Sequence, residues 1–206
     1  MIVIIKTIYF THNKHAPKLH SSKSQTKEHS MISVGEKFPS FSLKGVVSSD
    51  IETAFQDIQS SSYPNQWLAI FFWPKDFTFV CPTEIAEFGA LQPEFKERNT
   101  QLLGVSTDSE FVHLAWKQHK AELKDIPFPM ISDIKRELSQ ELGILDPIEG
   151  VAQRATFIVD PEGITRFVMV TDLNVGRNPK EVLRVLDALQ TNGLCACNWQ
   201  KGDSTL

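Results

Sequence analysis

The chain has 206 residues, 41% of them apolar and 22% charged, with 14 Phe and 4 Trp to fill a core; that is enough for one well-buried domain and short for two. Three cysteines exclude a disulfide-stapled miniature scaffold, which needs a denser and even set, and no stretch reaches the roughly 18 apolar residues of a membrane-spanning helix. A net charge of -4 implies no phosphate-binding surface, so neither nucleic acid nor membrane is an expected partner.

Residues 1–30 differ in composition from the rest. They hold five lysines against one acid, Glu28, and four of the six histidines, whereas the remaining 176 residues carry 16 bases against 24 acids. The apolar start is interrupted by Lys6, has no positive charge ahead of it and lacks a small-residue exit, so it makes a poor secretory signal. Residues 11–30, rich in Ser, Lys and His, lack both apolar periodicity and the arginines of a transit peptide. The segment reads as a flexible leader with no assigned function, or as sequence upstream of a start at Met31. Residues 31–206 read as the folded domain.

Trp67 to Trp73 is a continuous apolar run between Pro64-Asn65 and Pro74, which predicts a strand buried on both faces. Cys81-Pro82-Thr83-Glu84 then opens a helix with Ile85, Phe88, Leu91 and Phe95 on one face. Pro82 suits its first turn, and Pro93 should kink or end it early. Gln101 to Ser106 predicts a second strand. Ser109 to Leu123 predicts a helix with Val112, Ala115, Trp116 and His119 along its inner stripe, where His119 reads as a packed or half-exposed histidine rather than a base. Phe128 to Ser132 predicts a short, edge-like strand, and Asp133 is placed to cap a helix from Lys135 to Leu142 that stops at Gly143. Two runs, Arg154 to Val159 and Ile164 to Val170, flank the breakers Asp160-Pro161-Glu162-Gly163 and predict a hairpin. Asn178 to Leu189 predicts a last helix with Val182, Val185, Leu186 and Leu189 inward, while residues 48–63 fit helix and strand equally. The order β-α-β-α-β-β-α predicts an α/β fold with a mixed central sheet flanked by helices, an order that a thioredoxin-like layout shares.

Cys81 follows a buried strand and begins a helix, so its sulfur is expected near unpaired backbone N–H groups and the positive end of the helix dipole. A thiol of pKa about 8.5 is only a few per cent thiolate at neutral pH, and a helix start is one of the placements that favour the reactive anion. A buried, inert cysteine is the plain alternative. A thioredoxin-type dithiol needs Cys-x-x-Cys at this point, which Cys81-Pro-Thr-Glu84 does not supply. A zinc site built on Cys195-x-Cys197 lacks a second pair at zinc-finger spacing. A cysteine hydrolase needs a histidine partner, and His113 and His119 lie on a helix that reads as surface.

The string Pro74-Lys-Asp-Phe-Thr78-Phe-Val-Cys81-Pro-Thr-Glu84 resembles the peroxidatic-cysteine loop of the peroxiredoxins. The similarity continues through Asp133 to Leu138, Arg154 to Asp160, Val175-Gly-Arg177 and Cys195-Ala-Cys-Asn-Trp199, and so spans residues 31–206. Within the typical 2-Cys members it is most similar to the bacterial alkyl hydroperoxide reductase C type with a Cys-x-Cys tail. The resemblance implies that Cys81 is the thiolate that attacks a peroxide, that Thr78 and Arg154 hold peroxide and sulfur, and that Pro74 shields the sulfur from water. Glu84 is expected to pair with an arginine network that Arg177 completes. The sulfenic acid formed on Cys81 condenses with another thiol, and Cys195 or Cys197 is the candidate; Cys195 has the family's spacing to a following tryptophan.

The function so implied is reduction of hydrogen peroxide and organic hydroperoxides without haem, flavin, metal or other cofactor. Its electron donor is a dithiol protein: thioredoxin, a flavoprotein reductase or an alkylhydroperoxidase D-like partner. The resemblance also implies a homodimer in which Cys195 reaches Cys81 of the other protomer, assembled into a ring of ten or twelve. Thiols that need a reducing supply suit the cytoplasm. A ring-shaped holdase whose thiol only senses oxidants is the reading from a different functional class.

Overall fold

The computed structural model describes residues 30–206, so the leader expected over residues 1–30 lies, save for Ser30, outside the described residues. Seven strands form a single mixed sheet: β1 (Ser42–Val46), β2 (Phe55–Gln59), β3 (Trp67–Phe72), β4 (Thr100–Ser106), β5 (Met130–Ser132), β6 (Arg154–Val159) and β7 (Thr165–Thr171). Their spatial order is β2-β1-β5-β4-β3-β6-β7. The centre, β5-β4-β3, is parallel, and every other pairing is antiparallel. Five helices complete the domain: α1 (Cys81–Ala90), α2 (Gln92–Glu97), α3 (Glu110–His119), α4 (Glu137–Glu141) and α5 (Pro179–Gln190).

The apolar run of β3 divides its side chains between the sheet's two faces. Ala69 and Phe71 join a cluster with Ile85 and Phe88 of α1, Trp116 of α3 and Leu186 of α5. Leu68, Ile70 and Phe72 join the opposite cluster with Leu138 of α4, Phe38 and Phe41. Residues buried on both faces show no alternation, which is why the run reads as uninterrupted in sequence. On the first face the aromatic packing is dense: Phe71 stacks on Phe88 at 4.1 Å between ring centroids and meets Phe128 edge-on at 5.4 Å.

The helix expected from Cys81 onward breaks at Leu91 into α1 and α2, with Pro93 in the first turn of α2. Proline has no N–H to continue the ladder, so the break is its local effect; Ile85, Phe88, Leu91 and Phe95 are all buried nonetheless. The hairpin forms as β6 and β7 with Asp160 and Gly163 in its turn, where Asp160 Oδ1 accepts from the N–H of Glu162 and Ile164. Asn178 caps α5 by accepting from Lys180 N–H. Asp133 acts over a longer reach than expected. Arg136 stands in the left-handed region at φ 63° and delays α4 to Glu137, and the Asp133 carboxylate accepts from the N–H groups of Leu138 and Ser139.

Three expectations are corrected. β5 is not an edge strand: β1 and β2 pair beyond it, and all three of its residues are buried. The helix from Ser109 ends at His119 and is followed by a short 3-10 turn, Ala121–Leu123. Its inner face is His113, Leu114, Trp116 and Lys117, while Ala115 and His119 are exposed and Val112 is half-buried. The stripe is displaced because two polar residues on it are buried with partners. His113 lies against Asp76 and the Ile131 carbonyl, and Lys117 Nζ donates to the Ile126 carbonyl, 2.8 Å away.

Gly104 in β4 lies beneath the aromatic cluster, and a Cβ there would come within 2.8 Å of the Trp73 ring and 3.1 Å of Phe71. Gly104→Ala should therefore overpack the core and cost about 1–3 kcal/mol, read as a lower denaturation midpoint at unchanged m-value.

Candidate active site

The sheet order places the end of β3, the start of α1 and the start of β6 side by side, and the site forms where they meet. Cys81 is the first residue of α1 and is fully buried. Thr78 Oγ1 stands 2.9 Å from Cys81 Sγ and 2.9 Å from the Lys75 carbonyl. A hydroxyl has one proton to give. Beside a thiol it can donate to Lys75 O and accept the S–H; beside a thiolate it can turn that proton to sulfur. Arg154, the first residue of β6, brings Nη1 to 3.4 Å from the same sulfur. Two donors from distant parts of the chain thus converge on one atom at a helix N-terminus, where negative charge is favoured.

Arg154 is held by more than the sulfur. Its Nη1 donates to Glu84 Oε2 at 2.7 Å and its Nε to the Leu173 carbonyl at 2.7 Å. Glu84 and Cys81 are three apart on α1 and so share a face. The other side of the Glu84 carboxylate belongs to Arg177, which donates from its backbone N and Nε to Oε1, both at 2.8 Å, and from Nη2 to Oε2 at 3.0 Å. Arg177 Nη1 reaches the Ala155 carbonyl, and its guanidinium sits 5.5 Å from the Phe71 ring centroid. Glu84, Arg154 and Arg177 are all buried. Burial pushes the Glu84 carboxyl up, but the hydrogen bonds and charge of Arg177, joined by the charge of Arg154, more than offset this and hold it below the usual glutamate value.

Of the residues singled out from sequence, the structure brings together Thr78, Cys81, Glu84, Arg154 and Arg177, with Pro74 buried at the end of β3. It does not bring Cys195 and Cys197 to them. All three cysteines are unpaired; Cys195 is half-buried beside α5, 3.7 Å from the Ala188 carbonyl, and Cys197 is exposed. His113, read as lying on a surface helix, is buried, and with Asp76 and Trp73 it forms a network that sequence reasoning missed. Trp73 Nε1 donates to Asp76 Oδ1 at 2.7 Å, and Asp76 Oδ2 lies 2.6 Å from His113 Nδ1. The signal available was the placement of His113 three residues before the inward Trp116. No group of three or more His, Cys, Asp or Glu suited to a metal stands together among the described residues.

A family model described as AhpC/TSA matches residues 34–168. The chain belongs to the AhpC/TSA family of peroxiredoxins. It is 53% identical over 184 residues to alkyl hydroperoxide reductase C of Mycobacterium tuberculosis (strain H37Rv), an alignment covering 85% of this chain and 94% of that protein. It superposes on Mycobacterium bovis AhpC with a TM-score of 0.76 at 51% identity, covering 83% of this chain and 99% of that one. With the reduced 2-Cys peroxiredoxin of Plasmodium vivax the TM-score is 0.77 at 34% identity, over 84% and 91% of the two chains. The thioredoxin-like α/β fold and the peroxiredoxin class expected from the motifs are both borne out, and this AhpC-type chain is an enzyme of that class.

Replacing Glu84 by Gln leaves two buried guanidinium groups without their shared carboxylate and should cost about 3–5 kcal/mol at neutral pH. The folded-state value of Glu84 lies below the ordinary 4.5. Its contribution is therefore complete above 4.5 and is lost as the pH falls through the lower folded value. Denaturant titrations of the two proteins across pH should show a constant gap at neutral pH that narrows only below 4.5.

Proposed function

We propose that this peroxiredoxin reduces hydrogen peroxide and organic hydroperoxides with Cys81 as the attacking thiolate. The observation that carries the reading is the convergence of Thr78 Oγ1 and Arg154 Nη1, at 2.9 and 3.4 Å, on Cys81 Sγ. Sulfur attacks one peroxide oxygen, the O–O bond breaks, and the bonding pair leaves with the second oxygen, which takes a proton to become water or an alcohol. Cys81 is left as a sulfenic acid. Negative charge moves from sulfur to the departing oxygen in this displacement, so donors already fixed beside the sulfur stabilise the transition state without reorganising. The planar fork of Arg154 suits two acceptors at once, and Glu84 and Leu173 set its plane. Pro74 closes the sulfur off from bulk water, and Arg177 keeps Glu84 in place.

In the second step the sulfenic acid condenses with a thiol, forming a disulfide and releasing water. Cys195 is our choice for that thiol, with Cys197 beside it as an alternative or relay. Because Cys81 is buried and Cys195 stands against α5, the start of α1 must unwind and the tail must leave α5 before the sulfurs can meet. The partner thiol comes from a second copy of the chain in a homodimer, itself part of a ring of ten or twelve. The disulfide is then reduced by a dithiol protein, either thioredoxin, a flavoprotein reductase or an alkylhydroperoxidase D-like carrier, in the cytoplasm. No cofactor is needed in this scheme.

Cys81→Ser should abolish peroxide consumption, whereas Cys195→Ser combined with Cys197→Ser should leave one turnover and a sulfenic acid that a dimedone-type reagent traps. Arg154→Met should lower the second-order rate constant with hydrogen peroxide by roughly 10²-fold, followed by competition against a second peroxide scavenger. Peroxide consumption that survives Cys81→Ser would sink the reading.

A further inference from the structure

Lys117 on α3 is only 2% exposed, and its amine is buried without an acid to pair it. Its Nζ donates to the Ile126 carbonyl at 2.8 Å, which uses one of the three N–H bonds of an ammonium group. Among the described residues no carboxylate stands within ion-pair distance of it. A charge in such a place is costly, and a lysine escapes the cost by giving up its proton. Burial pushes Lys117 down to about 8, with the charge of Asp125 opposing.

The same amine meets a cavity of about 380 Å³. Residues 47–50, in the connection from β1 to β2, form one wall, and residues 124–126, beyond the 3-10 turn, form another. Ile126 belongs to that lining, so the carbonyl that fixes Nζ brings the amine end of Lys117 to the cavity rather than its stem. The walls are tied together. Ser49 Oγ donates to the Lys124 carbonyl, and Gln118 Nε2 of α3 donates to the Ser49 carbonyl. Ser48 Oγ accepts from the Asp50 N–H and from Thr53 Oγ1, which leaves its own proton for an oxygen in the cavity. The charged groups around Lys117 are Asp50, Lys124 and Asp125, all exposed. Along α3, His113 is tied to Asp76 and Lys120 is paired with Glu122.

We propose that Lys117 is a nucleophilic amine at the cavity between α3 and the β1–β2 connection, a site of covalent imine formation with small aldehydes. The lone pair of the free amine attacks the carbonyl carbon while the C=O π pair moves to oxygen. Transfer of a proton from nitrogen to that oxygen gives a carbinolamine, and loss of water leaves a C=N bond at Nζ. No oxidant or reductant takes part. Desolvation is what separates Lys117 from a surface lysine, whose amine water holds in the unreactive protonated form. At pH 7 an amine with a pKa of about 8 is free roughly 300 times as often as one at 10.5. The site is separate from the peroxidase centre, because Thr78, Cys81 and Arg154 have no part in its lining.

The test incubates the full chain with acetaldehyde and sodium cyanoborohydride, which reduces an imine to a stable ethylated amine, and maps the labelled lysines over time by mass spectrometry of peptides. At neutral pH Lys117 should be labelled at least about tenfold faster than the exposed Lys124 and Lys201, a margin below the gain in free amine because a less basic amine is a weaker nucleophile. Its rate should level off above about pH 8, where theirs continue to climb. Lys117→Met and Lys117→Arg should each lose the fast label and keep peroxide consumption. Label at Lys117 that does not outpace label at Lys124, or a rate at Lys117 that climbs in parallel with the exposed lysines, would overturn the assignment. The mapping is made on the wild-type chain, so it decides the matter even where a variant does not fold.

Discussion

The carboxylate of Glu84 sits between two buried guanidinium groups, and the arrangement of the site follows from that contact. Two arginines and one glutamate leave one positive charge in excess within a region where unpaired charge is costly. The buried sulfur of Cys81 lies beside that excess, 3.4 Å from Arg154 Nη1. Arg154 could not approach the sulfur in a fixed orientation without its partners. Glu84 holds one of its nitrogens and the Leu173 carbonyl another, so the group facing Cys81 is already oriented before any substrate arrives.

The members of this set are delivered by three separate parts of the chain, which makes the sheet order part of the site. α1 supplies Cys81 and Glu84 three residues apart on one face. β6 supplies Arg154 at its first residue because it pairs with β3, whose end leads to Cys81. Arg177 comes from the segment ahead of α5, and its guanidinium lies over Phe71 of β3. The aromatic cluster against Gly104 includes Phe71 of the same strand and Phe88 of α1, so the position of α1 depends on close packing of the core as well as on its ion pairs.

The same arrangement that prepares Cys81 also confines it. A sulfur that is fully buried at an intact helix start is well placed for a small molecule and poorly placed for another protein thiol. In the proposed cycle the region therefore needs two states of similar free energy. The left-handed Phe77 and the tail resting on α5 are the parts that such a cycle would rearrange.

Much of this was readable from local pattern. The continuous apolar run of β3, the breakers between β6 and β7, the asparagine before α5 and the Cys-Pro-Thr-Glu start of α1 are short-range signals, because period, turn chemistry and capping act over a few residues. β1 and β2 were not readable: β2 is exposed at three of its five positions and β1 at two, so neither shows a clean alternation, and without them β5 reads as an edge. The inner face of α3 is misplaced in sequence for a related reason. Counting apolar residues cannot anticipate that His113 is satisfied by Asp76, 37 residues earlier, or that Lys117 is satisfied by a backbone carbonyl. By itself the sequence determined which residues are candidates for the chemistry and which elements Cys81 and Arg154 begin. The tertiary structure alone decided which polar groups are buried and paired, because a buried charge is tolerated only where a distant part of the chain supplies its partner.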